Sequence, residues 1–247
     1  MTSEPGQANT RPSRRRAPLA IFFSCEHGGH DLPPQYKQLF GEAGAVLKSH
    51  RGWDPGAIEL ANCFASAWKA PLFSTTISRL LVELNRSPGH AALFSEFTCD
   101  LPRAEREALL DAYYWPYRAQ VERHVEACLK RRQAVLHIGV HTFTPNLNGE
   151  QRNADIGLLY DPRHGQERAL AESWRASLRT LLPELRVRMN YPYRGTGDGL
   201  TTHLRRCYGK RYAGIELEVN QRWPLSEKHQ WPRLQGELAK SLEFCRS

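Results

Sequence analysis

Residue types with a capacity for chemistry crowd into one short stretch, Ser24-Cys25-Glu26-His27-Gly28-Gly29-His30-Asp31-Leu32-Pro33. The apolar run that precedes it reads as a buried strand, and Gly-Gly followed by proline reads as a loop. Glu26, His27, His30 and Asp31 therefore fall on the loop leaving a strand end, where ligands gather in α/β proteins. An imidazole there suits a zinc ion, although for His27 taken alone an ordinary hydrogen-bonded loop histidine is the better reading. His141 repeats the pattern, because the apolar run 134–140 leads straight into His141-Thr142-Phe143-Thr144-Pro145. Asp54, followed by Pro55, suits either of two roles. It can cap the helix that follows, or it can join two histidines in a three-ligand catalytic zinc site with an open position. Glu26 and His30 stay open as alternative ligands.

Further carboxylates and guanidiniums lie at other strand ends. Glu216 and Glu218 are two residues apart in an apolar run, so alternation puts both on one face of a strand. An unpaired buried pair would be costly, which points one of them at a site or at a basic partner. A carboxylate such as Glu218, placed near an activated water, can take its proton and pass it to a leaving nitrogen. Arg79, Arg86 and Arg152 fall at strand ends or in loops, and the planar guanidinium suits a carboxylate. Asn85-Arg86 is the most pointed pair, since it directly follows an apolar run. Cys25 offers a metal-free alternative, a cysteine hydrolase with His27 or His141 as base, although neighbouring Glu26 disfavours a thiolate.

The elements that would position these residues alternate along the chain. Strand patterns cover 19–25, 71–78, 79–84, 134–140, 156–160, 187–189 and 215–219. Helical spacing covers 34–49, 54–69, 105–132 with Pro116 as a kink or break, 167–182 and 227–244. Residues 190–199 read as an aromatic, glycine-rich loop. Such alternation predicts an α/β three-layer fold with a central, mostly parallel sheet. No linker divides it, so the expectation is a disordered basic leader over 1–17 and one catalytic domain over 18–247.

Composition narrows the function classes. Hydrophobic residues make up 40% and charged residues 24% of the 247, which is ordinary for a soluble globular protein. No apolar run is long enough for a membrane span, and the polar N-terminus has no signal-peptide pattern, so a cytoplasmic location is expected. Of the net charge of +8, the leader holds +3 through Arg11, Arg14, Arg15 and Arg16 against Glu4. With the remainder dispersed among mixed-sign helices, no nucleic-acid groove is expected. The six cysteines lie far apart without a C-x-x-C pair and read as free thiols.

Five motifs in order give the chain a family resemblance. They are Ser-Cys-Glu-His-Gly-Gly, Trp-Asp-Pro-Gly-Ala, Ser-Arg-Leu-Leu-Val-Glu-Leu-Asn-Arg-Ser, His-Thr-Phe-Thr-Pro and Gly-Ile-Glu-Leu-Glu-Val-Asn-Gln. From Ala20 to Trp223 the sequence resembles the N-formylglutamate amidohydrolase family, whose members are similar in fold to zinc carboxypeptidases and aspartoacylase-type deacylases. The resemblance implies an α/β/α sandwich with a central mixed sheet, and one zinc per chain held by His27, Asp54 and His141. It also implies Glu218 as general base, with Asn85, Arg86 and Arg152 for substrate carboxylates. The implied substrate is a small N-acyl amino acid such as N-formylglutamate. Where the histidine-degradation enzymes of the family carry Pro-His-Ser-Gly, this chain has Glu26-His27-Gly28-Gly29, so the metal chemistry transfers better than the substrate. A non-catalytic binding protein of the same fold is a further alternative.

Overall fold

A computed structural model describes residues 18–246; the leader expected over 1–17 lies outside the described residues. Eight strands occur among them: β1 (Leu19–Cys25), β2 (Leu72–Ser74), β3 (Ala134–Phe143), β4 (Asn146–Leu147), β5 (Glu150–Gln151), β6 (Ile156–Leu159), β7 (Val187–Met189) and β8 (Tyr212–Asn220). The helices are α1 (Lys37–Phe40), α2 (Gly44–Leu47), α3 (Ala57–Trp68), α4 (Arg103–Leu109), α5 (Trp115–Lys130), α6 (Gly165–Leu181), α7 (Leu200–Tyr208), α8 (Arg222–Leu225) and α9 (Trp231–Lys240). Six strands form one sheet in the order β2-β1-β3-β8-β6-β7, parallel at every pairing except β8 with β6. The α/β architecture with a mixed, mostly parallel sheet is the one expected.

Alternation along the strands divides the two faces sharply. Phe23 and Cys25 of β1, Leu136, Ile138 and Val140 of β3, and Ala213, Ile215, Leu217 and Val219 of β8 pack in one core with Leu60 and Phe64 of α3, Trp174 of α6 and Leu238 of α9. The opposite face starts apolar, with Phe22, Val135 and Tyr212 against Val121 and Val125 of α5 and Leu204 of α7. Further along the same face the side chains turn polar: Ser24 and Glu26, His137 and His141, Glu216 and Glu218. One face is therefore core throughout, while the other becomes chemistry toward the carboxyl ends of the strands.

Several elements differ from the sequence reading. The helix expected over 34–49 is a 3-10 turn followed by α1 and α2, interrupted at Gly41, whose φ of +40° favours glycine. Residues 79–84 are not a strand but a buried turn, with Leu80 and Leu81 in one apolar cluster and Val82 and Leu84 in another. Residues four apart in a strand are separated by about 13 Å, whereas Arg79 Nε donates to Glu83 Oε2 at 2.7 Å. The segment turns in order to make that pair. A π-helical turn over Leu110–Tyr114 joins α4 to α5 ahead of Pro116, which has no N–H to give. Helix α7 has no counterpart in the sequence reading, although Leu200, Leu204 and Tyr208 sit four residues apart.

Candidate active site

The loop after β1 runs beside residues 75–76 because two glycines allow it. A Cβ on Gly28 would lie 2.7 Å from Thr75 O, and one on Gly29 would lie 2.6 Å from Thr76 O. Gly28 and Asp31 donate their amides to those same carbonyls. Asp54 is anchored to this loop by its own amide, which donates to His27 O at 2.9 Å. The Asp54 carboxylate makes no helix cap; Gly56, with φ of +85°, begins α3 instead. That leaves the carboxylate free for the histidines.

His27, Asp54 and His141 converge. Nδ1 of His27 stands 3.2 Å, and Nδ1 of His141 3.1 Å, from the same Asp54 Oδ2. The three donor atoms all lie within 4.8 Å of one another, and all three side chains are buried. The far nitrogens face other carboxylates: His27 Nε2 donates to Glu83 Oε1 at 2.6 Å, and His141 Nε2 lies 3.3 Å from Glu26 Oε2. A carboxylate behind each imidazole favours the tautomer whose proton is on Nε2 and directs the Nδ1 lone pair toward Asp54. Lone pairs cannot face a carboxylate oxygen without a proton or a cation between them. Two imidazoles and one carboxylate are a donor set suited to zinc, so the residues present fit a metal.

The carboxylates behind the histidines are held differently. Arg79 binds Glu83 and reaches Asp54 Oδ1 at 3.4 Å, so one guanidinium serves two of them. Burial raises the Glu83 and Asp54 carboxyl groups, but Arg79 and His27 overcome it and hold both well below the usual range. Glu26 instead accepts from the Tyr117 hydroxyl at 2.7 Å, and the same hydroxyl reaches Phe73 O at 3.1 Å. Burial raises Glu26 as well, and His141 more than offsets it, bringing the carboxyl to about 2. Glu26 thus belongs behind His141 and not with the converging donors. His30 stacks on Trp53 at 5.1 Å, also away from them.

Glu218 lies between His141 on β3 and Gly157 on β6 in the sheet register. Burial and the nearby Asp54 and Glu216 carboxylates push it up to about 8, against the opposing pull of His141 and His27. Its Oε2 is buried without a hydrogen-bond partner. Gly157 keeps the loop after β7 close: a Cβ there would lie 1.9 Å from Tyr191 O and 3.3 Å from Glu218 Cβ. Glu216, on the same face, accepts from Thr201 Oγ1 at 2.8 Å.

These groups open into a cleft of about 380 Å³, lined by His27, Asp54, Arg79, Asn85, Arg86, His90, His141, Tyr193, Arg194, Glu216 and Glu218 among others. Asn85 Oδ1 accepts from the Leu200 amide, fixing the start of α7. Arg86 donates to the carbonyls of Asp198 and Asn85, and no carboxylate among the described residues is within ion-pair distance of it. Arg152 is not in the cleft lining; it donates to the Tyr193 hydroxyl at 2.9 Å, and Tyr193 walls the cleft. Cys25 is fully buried in the opposite core, and burial with Glu26 nearby raises its thiol well above the usual range. The sequence reading did not assign Glu83, Tyr117 or Arg194 any role, and left Glu26 as a ligand alternative. Glu83 meets His27 from 56 residues away and Tyr117 meets Glu26 from 91 away, so local spacing carries no signal for either contact, and Arg194 falls in a polar loop.

A sequence profile of the family described as N-formylglutamate amidohydrolase matches residues 19–223. The chain belongs to that family, and is an amidohydrolase. It is similar to a gene product of Agrobacterium tumefaciens of known structure, at 27% identity and a TM-score of 0.77, over 94% of this chain and 93% of that one. It is also similar in fold to an N-formylglutamate amidohydrolase from Ralstonia eutropha, at 19% identity and a TM-score of 0.69, over 95% of each chain. No curated protein sequence matches. Among the described residues, no helix is long and apolar enough to cross a membrane.

Proposed function

We propose that this amidohydrolase is zinc-dependent and cleaves the amide bond of a small N-acyl amino acid, with N-formylglutamate, giving glutamate and formate, as the first substrate to test. The observation that carries the reading is the convergence of His27 Nδ1, His141 Nδ1 and Asp54 Oδ2 on one buried point beside the unpartnered Glu218 Oε2. His27, Asp54 and His141 would hold the metal. When bound, zinc supplies a Lewis acid for the acyl carbonyl and lowers the pKa of water.

The chain's own residues supply the rest. Glu218 is the proton carrier: its Oε2 takes a proton from the attacking water and delivers it to the leaving amide nitrogen. Its setting suits a shuttle, since burial narrows the gap between its pKa and neutral pH. Arg86 has donors available for the substrate α-carboxylate, and Asn85 holds the neighbouring start of α7 in place. Arg79 keeps Glu83 and Asp54 ionised, and so keeps His27 aimed. Arg152 acts at one remove, by orienting Tyr193 at the cleft wall.

Formate release from N-formylglutamate tests this. Turnover by the zinc-loaded protein is expected to stop on chelation and return with zinc. Glu218→Gln is expected to keep its zinc and lose roughly 10³-fold in kcat. Turnover that survives complete chelation, or a Glu218→Gln variant at the full rate, would overturn the mechanism.

A further inference from the structure

Arg86 has a carboxylate for a neighbour, yet that carboxylate does not neutralise it. Arg86 and Asp198 are both half-buried and both line the cleft, and Arg86 Nη1 donates to the backbone carbonyl of Asp198 at 2.5 Å. The Asp198 side chain is engaged elsewhere. Its Oδ2 accepts from the Ser87 amide at 2.8 Å, and its Oδ1 accepts from the Ser87 hydroxyl. No ion pair joins Asp198 to Arg86, and the N–H groups on Nε and Nη2 of Arg86 have no partner among the described residues. The two charges still act on each other. Burial raises the Asp198 carboxyl, but the hydroxyl and amide of Ser87, helped by His90 and Arg86, bring it below its ordinary value.

The loops that carry these residues are clipped together. Asn85 Oδ1 accepts from the Leu200 amide at 2.7 Å, Arg86 O from the Tyr114 hydroxyl at 2.7 Å, and Gly197 O from the Thr202 hydroxyl at 2.6 Å. A Cβ on Gly199 would lie 3.0 Å from Asn85 Oδ1, so the two segments pass at close range. With the backbone fixed on both sides, the side-chain torsions of Asp198 decide where its charge goes. A carboxylate beside a guanidinium ordinarily takes the planar fork, and would then occupy the donors that a substrate needs. One serine supplies both of the donors that hold it away.

We infer that Ser87 is a positioning residue that keeps the Asp198 carboxylate off Arg86, and so keeps that guanidinium open for the substrate carboxylate. This rests on Arg86 anchoring a carboxylate, as proposed above. Ser87 acts through Asp198 and not by touching substrate. Without its hydroxyl, Asp198 Oδ1 is short of a donor, and the unused N–H groups of Arg86 can replace it. The chain would then carry its own competitor for the anion site. Such a competitor weakens binding and raises KM, while the substrate complex, once formed, turns over as before.

Three variants separate this from a merely structural role, in the zinc-loaded full chain with N-formylglutamate as substrate. Ser87→Ala keeps the amide and loses the hydroxyl; it is expected to raise KM about fivefold or more, with kcat within about twofold of wild type. Asp198→Asn removes the competing charge. It is expected to lower KM about fivefold in the Ser87→Ala background, and to shift it by less than about threefold in the wild-type background. A structural role predicts the reverse, because a second cut in the same clip would add to the damage. NMR titration with butyrate, a carboxylate that cannot be hydrolysed, makes the same comparison as a Kd, with Arg86→Met as the reference for a lost anchor. Wild-type KM and butyrate affinity in Ser87→Ala would overturn the inference, and so would a loss that Asp198→Asn does not reverse. Butyrate binding that ignored Arg86→Met would overturn it together with the anchoring role of Arg86. If wild type hydrolysed no N-acyl amino acid, the proposed mechanism would fall, and the butyrate titration would still decide the role of Ser87.

Discussion

Glu218 is held where its charge is disfavoured. Its ordinary value of 4.5 is raised to about 8 by burial and by the Asp54 and Glu216 carboxylates, with His141 and His27 pulling the other way. The folded chain therefore keeps a proton that the unfolded chain gives up between those two values. Stability from this group is complete below about pH 4.5 and drains away as the pH rises to about 8, at about 1.4 kcal/mol per unit. In metal-free protein, Glu218→Gln should match wild type in urea stability near pH 4.5. By pH 8 it should exceed wild type by several kcal/mol, at most about 5. Urea midpoints across that range check this, and a difference that did not vary with pH would contradict it. At this scale the sequence is informative where an apolar run stops: His27, His141 and Asn85-Arg86 announce themselves that way. Arg152 and Arg194 both lie in polar loops, and nothing local says which of them faces the cleft.

Helix α5 reaches the site through one side chain. The π turn ahead of Pro116 sets the start of the helix, and Tyr117 on its first turn donates to Glu26, which stands behind His141. Tyr117 is thus a positioning residue acting through Glu26. Removing the hydroxyl leaves a buried carboxylate short of a donor and loosens the orientation of His141. Tyr117→Phe should weaken zinc binding about tenfold while the far-ultraviolet spectrum keeps its helical signal. Equilibrium dialysis measures the affinity, and an unchanged value would remove Tyr117 from the account. The pair Tyr117 and Glu26 is 91 residues apart and His27 and Glu83 are 56 apart, so neither contact has a local signature. Residues 79–84 misled for a related reason. Their apolar content suggests a strand, yet Leu80 and Val82 serve different cores and the Arg79–Glu83 pair requires a turn.

Across the whole molecule, one sheet face is core from end to end, and the other gives way to His137, His141, Glu216 and Glu218 toward the carboxyl ends of the strands. Period-two alternation in β3 and β8 made that division readable, because buried strands bounded by helices carry a strong hydrophobic signal. Helix α7 escaped notice because its apolar residues, Leu200 and Leu204, are few among threonines and arginines. What joins the parts is the meeting of the loop after β1, the residues that lead into α3 and strand β3 itself at a single carboxylate oxygen, Asp54 Oδ2. The most direct measurement is the zinc content of purified, zinc-equilibrated protein, compared between wild type and His141→Ala. The account predicts about one zinc per wild-type chain and its loss in the variant. A wild type that took up no zinc, or a His141→Ala variant that retained it fully, would contradict the metal site on which the rest depends.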